Sequence, residues 1–272
     1  MALLFASCNK KKTTNELTLS PDESLVTLTF SPYSMEPIRD DIGTVVNRLD
    51  VWIVDGEDVY DYHQVKDQTT TFGTLYVALN RTKTYTLYAV GHKAAGEATL
   101  TDNIISFPDD KVTHSMFFTT TFTPASSTSL SCAMQRIVGM FKCVVTDAIP
   151  AAVDHMRFAI SESGTRFNVV TQTATNKVER ESIPSSMTPN QQTGYTTFNI
   201  FVMSDDMTST IDVDITAQAI DEDGNVVEEH QFNDVPIKNG WSTTYTGTFF
   251  VTTGFTINFT IGDWSNFDDH PY

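Results

Sequence analysis

Three kinds of side chain in this sequence could do chemistry, and the first is a cysteine near its start. Cys8 follows the apolar run Leu3, Leu4, Phe5, Ala6 and the small residue Ser7. Small residues just ahead of a cysteine suit a signal peptidase whose product is an N-terminal cysteine carrying acyl chains. Each buried CH₂ of such a chain contributes roughly 0.8 kcal/mol, so several chains hold a folded domain at a membrane. A complete signal has a positive n-region and an apolar core of about 7–15 residues. Only seven residues precede Cys8 and none is basic, so either the natural start lies upstream or the match is fortuitous. The polar NKKKTTNE that follows has the character of a tether. Lipid attachment at Cys8 is the expectation.

The second kind is the metal-ligating or catalytic group. Asp221, Asp223 and Asn225 resemble the opening of a calcium loop. Such a loop has its glycine at about the sixth position and a glutamate at about the twelfth. Here the glycine is fourth and the twelfth residue from Asp221 is Phe232. A hairpin tip explains DEDGN better. The six histidines are His63, His92, His114, His155, His230 and His270, with no pair at metal-ligand spacing. No G-x-S-x-G elbow, P-loop or dinucleotide glycine fingerprint is present. Carboxylates are abundant, but nothing ranks one pair above another as an acid–base couple. The expectation is a non-enzymatic chain with no cofactor and no metal.

The third kind is the aromatic ring that could stack on a sugar. Trp52 and Trp241 are the candidates, with Tyr60, Tyr62, Tyr245 and Trp264 as further rings. Half-buried sheet aromatics are the commoner role for such residues. Glycan stacking at Trp52 and Trp241 stands as the alternative reading.

Charge narrows the partners. The chain carries 34 acidic and 17 basic side chains, net -17. That field repels nucleic-acid phosphates and anionic lipid surfaces, and Lys10, Lys11 and Lys12 are the one basic cluster. No nucleic-acid partner is expected. No stretch reaches the roughly 20 apolar residues that span a bilayer, so membrane attachment would need an anchor.

The elements that would position these groups are strands. Threonine, valine and aromatics recur in TQTTTFGT, FFTTTFTP and NGWSTTYTGTFF, and they fit a pleated surface better than a helix. RLDVWIVD alternates, with Leu49, Val51 and Ile53 on one face and Asp50, Trp52 and Val54 on the other. GTLYVALNR and KTYTLYAVGHK read as an antiparallel pair around a turn at 80–83. AIDEDGNVVEE is a hairpin that should pair ITAQAI with VVEEHQF. Residues 133–141 tolerate a helix, but the valine run and Gly139 favour one long strand. Cys132 and Cys143 read as buried thiols rather than a disulfide. The stretch 124–129, PASSTS, has no periodicity and reads as a linker. The expected organisation is a tether over 1–15, a β-sandwich over 16–125 and a second β-sandwich over 130–272.

Five blocks carry a family resemblance. They are RLDVWIVDGEDVYDYHQV (48–65), LYVALNRTKTYTLYAVGH (75–92), LSCAMQRIVGMFKCVVTDAIPAAVDHMRFAIS (130–161), NDVPIKNGWSTTYTGTFF (233–250) and INFTIGDW (257–264). In this order they resemble the fimbrillin superfamily of Bacteroidales, in its lipid-anchored fimbrial anchor and minor-subunit branch. The resemblance implies an all-β fold of two tandem transthyretin-like β-sandwich domains. It implies a non-catalytic anchor or accessory subunit of a fimbria, held to the outer membrane by its N-terminal lipid and facing the surface or the periplasm. Its partners would be other fimbrial subunits, joined by strand addition, with glycans as the adhesive alternative. Related stalk subunits are cut after an Arg or Lys, and here Arg39 or Arg48 would be the processing site. Cleavage would free the first strand, LVTLTFS, and open a groove.

Overall fold

The computed structural model of the chain describes residues 19–33, 41–56, 58–184, 196–251 and 259–263. They fall into two compact units. One holds those through Asp109 with His114–Arg136; the other holds Asp110–Thr113 and those from Ile137 onward.

In the first unit, two sheets enclose one core. One sheet runs β3 (Val59–Val65), β2 (Arg48–Val54), β5 (Tyr85–His92), β8 (Met116–Phe122). The other runs β9 (Thr128–Arg136), β1 (Glu23–Pro32), β4 (Thr74–Asn80). The sheets meet at a corner where β8 and β9 pair over Met116↔Arg136 and Phe117↔Gln135. Period-2 alternation explains the core: Val26 and Leu28 from β1, Leu49 and Val51 from β2, and Val77 from β4 all point inward and are buried. A one-turn helix, α1 (Ile42–Val45), follows β1; Asp41 caps it by accepting the Gly43 N–H at 2.9 Å. The hairpin β6 (Thr99–Thr101) and β7 (Ile104–Ser106) completes the unit.

The second unit repeats the plan. One sheet runs β13 (Thr196–Val202), β10 (Gly139–Val145), β16 (Trp241–Gly247), β17 (Phe259–Asp263). The other is built on β11 (His155–Asn168), which pairs with β12 (Thr173–Ser182) and with β14 (Thr210–Ile220), itself paired with β15 (Val226–Lys238). Phe141, Phe158, Phe198, Phe232 and Tyr245 fill the space between them. The opening strand is placed alike in both units. β1 lies antiparallel to β4 and parallel to β9; β10 lies antiparallel to β13 and parallel to β16.

The all-β sandwich expected from the strand pattern is therefore observed, with corrections in its wiring. The segments around 80–83 do not form a hairpin pair: β4 pairs with β1, whereas β5 pairs with β2 and β8. The turn carries the chain from one sheet to the other, so Leu75, Val77 and Leu79 meet Tyr85, Leu87 and Ala89 across the core. The stretch 124–129 is not the boundary between units. It joins β8 to β9, and β9 pairs with β1, so the passage falls between Arg136 and Ile137. Residues 133–141 are extended, as expected, but split into β9 and β10. The expected hairpin is present: β14 and β15 pair through Ile220↔Val226, and the Asp221 carboxylate caps the tip by accepting the Asp223 and Asn225 N–H groups at 3.0 and 2.7 Å. Cys132 and Cys143 are free and buried, and burial pushes the Cys132 thiol up to about 12.

Gly139 stands at the start of the second of these strands. A Cβ there would lie 2.6 Å from the Lys238 carbonyl oxygen and 2.7 Å from Ile237 Cγ2. Only a glycine lets β10 start so close to the end of β15. Gly139→Ala should lower stability by about 1–3 kcal/mol through overpacking against backbone, read as a lower urea midpoint with an unchanged m-value.

Candidate functional site

The feature with most functional content is the slot that holds β1. Its backbone is paired on both sides, from Glu23↔Asn80 to Thr29↔Thr74 on β4 and from Val26↔Thr128 to Pro32↔Met134 on β9. Val26 and Leu28 are fully buried and Phe30 is 3% exposed. Burying each such side chain contributes about 1.5–3 kcal/mol relative to exposure. Both ends are latched. Arg81 N–H donates to the Asp22 carbonyl at 2.8 Å, Phe30 N–H to the Gly73 carbonyl at 2.8 Å, and Tyr33 N–H to the Met134 carbonyl at 2.7 Å. Gly73 sits at φ +84°, where a Cβ would lie 2.5 Å from Ile42 Cγ2, so α1 and the Phe30 latch share one tight corner. Taking β1 away would leave two facing rows of unpaired N–H and C=O groups and an emptied stripe of apolar pockets. Another extended segment could satisfy both.

β1 joins the rest of its unit through residues 34–40, which include Arg39. Arg39 and Cys8 both lie outside the described residues. Arg48 is described, and its setting opposes cleavage. It opens β2, between β3 and β5, and pairs with both Val65 and His92. Its guanidinium reaches the Ala95 carbonyl at 3.5 Å and Glu97 at 3.7 Å. A protease needs an extended, accessible segment, and a central strand supplies none. This setting counts against processing at Arg48 while the unit is folded.

Beside Arg48 lies a buried polar network that the sequence pattern did not reveal. Asp50 and His92 are fully buried. Asp50 Oδ1 is 2.8 Å from His63 Nδ1, Asp50 Oδ2 is 2.8 Å from His92 Nε2, and the Ala98 N–H donates to Oδ2 at 2.8 Å. His92 Nδ1 accepts the Ala94 N–H at 3.1 Å, which assigns its proton to Nε2 and makes that nitrogen the donor to Asp50. Burial alone would raise the Asp50 carboxyl, but the hydrogen bonds from His63 and His92 outweigh it and hold the group below its ordinary value. The same hydrogen bond to Asp50, with Asp61 on the other ring nitrogen at 3.1 Å, raises His63 to about 10. His63 is thus an imidazolium at neutral pH. Asp50 and His63 lie directly opposite on β2 and β3, so the network ties these strands to β5 and to the segment through Ala98. Among the described residues, no group of three or more His, Cys, Asp or Glu side chains is placed to hold a metal ion.

The sugar-stacking candidates separate. Trp52 is 2% exposed, so its ring faces are covered by protein and no sugar reaches them; this corrects its expected role. Its neighbour Asp50 is buried on the same side of β2, a face that alternation alone did not mark as covered. Trp241 is half-buried, with Lys238 Nζ 4.8 Å from its ring centroid. Tyr245 is fully buried and Trp264 lies outside the described residues. Asp147 is a further residue the sequence did not single out for a role. Its carboxylate accepts the N–H groups of Phe249, Phe250 and Val251 at 2.8, 2.7 and 3.0 Å and pins the chain beyond β16.

Residues 109–271, more than half the chain, match a family described as a family of unknown function (DUF6562). Among solved structures, one from Bacteroides thetaiotaomicron, provisionally described as polysaccharide-binding, aligns with a TM-score of 0.57 at 10% identity, covering 89% of this chain and 96% of its own. One from Bacteroides ovatus, provisionally described as an adhesin, aligns at 0.55 and 14% identity, covering 89% and 95%. Another from Bacteroides thetaiotaomicron, also provisionally an adhesin, aligns at 0.54 and 12% identity, covering 90% and 98%. At such identities the likeness is one of fold. No curated protein matches the chain.

The network sets a pH dependence. His63 rises from an ordinary 6.5 to about 10, so its contribution is full below pH 6.5 and is lost as pH rises through about 10. Asp50 is lowered from 3.8, so its contribution is present above that pH and fades as pH falls through its folded value. Urea midpoints should therefore decline from pH 7 to pH 10, and His63→Gln should flatten that decline.

Proposed function

Because the chain belongs to the DUF6562 family and shares its fold with proteins described as adhesins, we propose that it is a non-catalytic anchor or accessory subunit of an adhesive fimbria. In this reading a lipid on Cys8 holds it to the outer membrane, and the sandwiches engage neighbouring subunits by strand addition. The observation that carries it is the placement of β1. It is an interior strand paired on both sides, it precedes every other described strand, and its downstream tether contains Arg39. Loss of the segment ahead of Arg39 would vacate the slot between β4 and β9 for a neighbour's strand. A subunit that keeps β1 and its lipid would end or anchor the polymer instead. The fimbrillin-like blocks at 48–65, 75–92 and 233–250 support the same role, and the acidic surface favours a protein partner over nucleic acid.

The test is mass spectrometry of the mature protein from its native envelope, with subunit co-purification. An acylated Cys8 with β1 retained is the expected state of an anchor, and trimming at Arg39 that of a polymerising subunit. An unmodified N-terminus with no β-rich partner would overturn the proposal. In limited digestion with an arginine-specific protease, Arg39 should be cut well before Arg48.

A further inference from the structure

We infer that the first unit carries a binding cleft for a neutral carbohydrate, with Tyr88, Asp102 and Asn103 as its recognition groups. The cleft has a volume of about 470 Å³. Ligand pockets run from about 300 to 1,000 Å³, and this one is the size for a mono- or disaccharide. It is bounded by the β2–β3 turn, by the outward face of β5 and by the β6–β7 hairpin.

Alternation on β5 sends Tyr85, Leu87 and Ala89 into the core and turns Tyr88 to the opposite face, where it stays half-exposed. Val54, Val59 and Leu100 add apolar wall beside it. The hairpin tip supplies the polar side. Asp102 and Asn103 both adopt left-handed backbone, φ 50° and 64°, between the paired residues Thr101 and Ile104. Two successive positive-φ residues make the tight two-residue turn that matches strand twist.

Asp102 and Asn103 are exposed and Tyr88 is half-buried, and their hydrogen-bonding state leaves all three available to a ligand. Among the described residues, nothing bonds the Tyr88 hydroxyl, the Asp102 carboxylate or the Asn103 side-chain amide. The other lining carboxylate is committed: Asp55 accepts from Lys83 Nζ at 2.7 Å and from the Asp58 N–H at 2.9 Å. Thr86 Oγ1 is engaged with Thr121 Oγ1 at 3.3 Å. The cleft therefore offers one carboxylate that accepts from hydroxyls, one amide that gives and accepts, and one phenol whose ring packs on C–H groups and whose hydroxyl bonds. Hydroxyl-rich pyranoses match that set. The free carboxylate and the net charge of -17 select against sialylated or uronic-acid sugars. The inference adds a ligand to the adhesive role but rests on the cleft alone.

The test is amide NMR titration of the full chain with lactose, cellobiose and mannobiose, and with sialyllactose as the anionic control. Expected are saturable shifts at residues 86–88 and 100–103 with at least one neutral disaccharide, and weaker binding of sialyllactose. The double variant Asp102→Gly, Asn103→Gly removes both polar groups and keeps the left-handed turn. It should weaken binding by about tenfold, the equivalent of two lost hydrogen bonds, with Tm unchanged. Tyr88→Thr should abolish it. The inference is overturned if no neutral disaccharide shifts these signals, or if the glycine variant binds as tightly as the parent. That variant keeps β1, Arg39 and Cys8, so its failure is distinguishable from failure of the fimbrial role.

Discussion

The backbone of an interior strand must be satisfied on two edges at once, and the rest of this structure follows from how that is done for the first strand of each unit. An unpaired N–H or C=O buried away from water costs about as much as a lost hydrogen bond. β1 meets the demand with an antiparallel partner, β4, and a parallel one, β9. β10 meets it with β13 and β16 in the same arrangement. A parallel partner cannot be reached by a hairpin, so the chain must build the facing sheet before returning to close the first one. The sandwich is the by-product of that return. Position in the chain then distinguishes the two strands. β10 is held between Val138 and Thr146 with strands on either side of it in sequence, whereas β1 is the first strand of the described residues.

Charge imposes a second constraint. A chain this acidic must keep carboxylates in water or give them donors. Three described carboxylates that are buried or half-buried have such donors. Asp50 has two imidazoles and the Ala98 amide, Asp55 has Lys83 and the Asp58 amide, and Asp147 has three successive amides. Removing one member of such a set leaves a desolvated charge, which is costlier than the intact set is stabilising. Arg48 lies beside this network, on a strand paired on both sides, a setting that opposes cleavage there while the unit is folded.

The sequence was legible wherever structure is local. Alternation placed Leu49, Val51 and Ile53 in the core, and DEDGN marked the β14–β15 tip, because side-chain direction has period two and turn conformation depends on adjacent residues. It was misleading where a local signal met a non-local choice. The turn at 80–83 looks like a hairpin, and its residues do turn, but a tight turn can join strands of one sheet or of two. Which occurs depends on β1 being available to take β4. The polar stretch 124–129 failed as a boundary for the same reason, since β9 beyond it is claimed by β1.

The sequence by itself determined that this chain is all-β, that its strands carry alternating inward faces, and that Cys132 and Cys143 are interior thiols. These properties follow from residue type and spacing along one strand. The tertiary structure decided strand order, the cover over the second face of β2 that hides Trp52, and the union of Asp50, His63 and His92. It also decided that Tyr88 and the Asp102–Asn103 turn line one cleft. Each of these joins residues far apart in sequence, and no local pattern encodes which buried donor will meet which acceptor. That meeting is set by the pairing of backbones on both edges of the strands, which exists only once the sheets have closed.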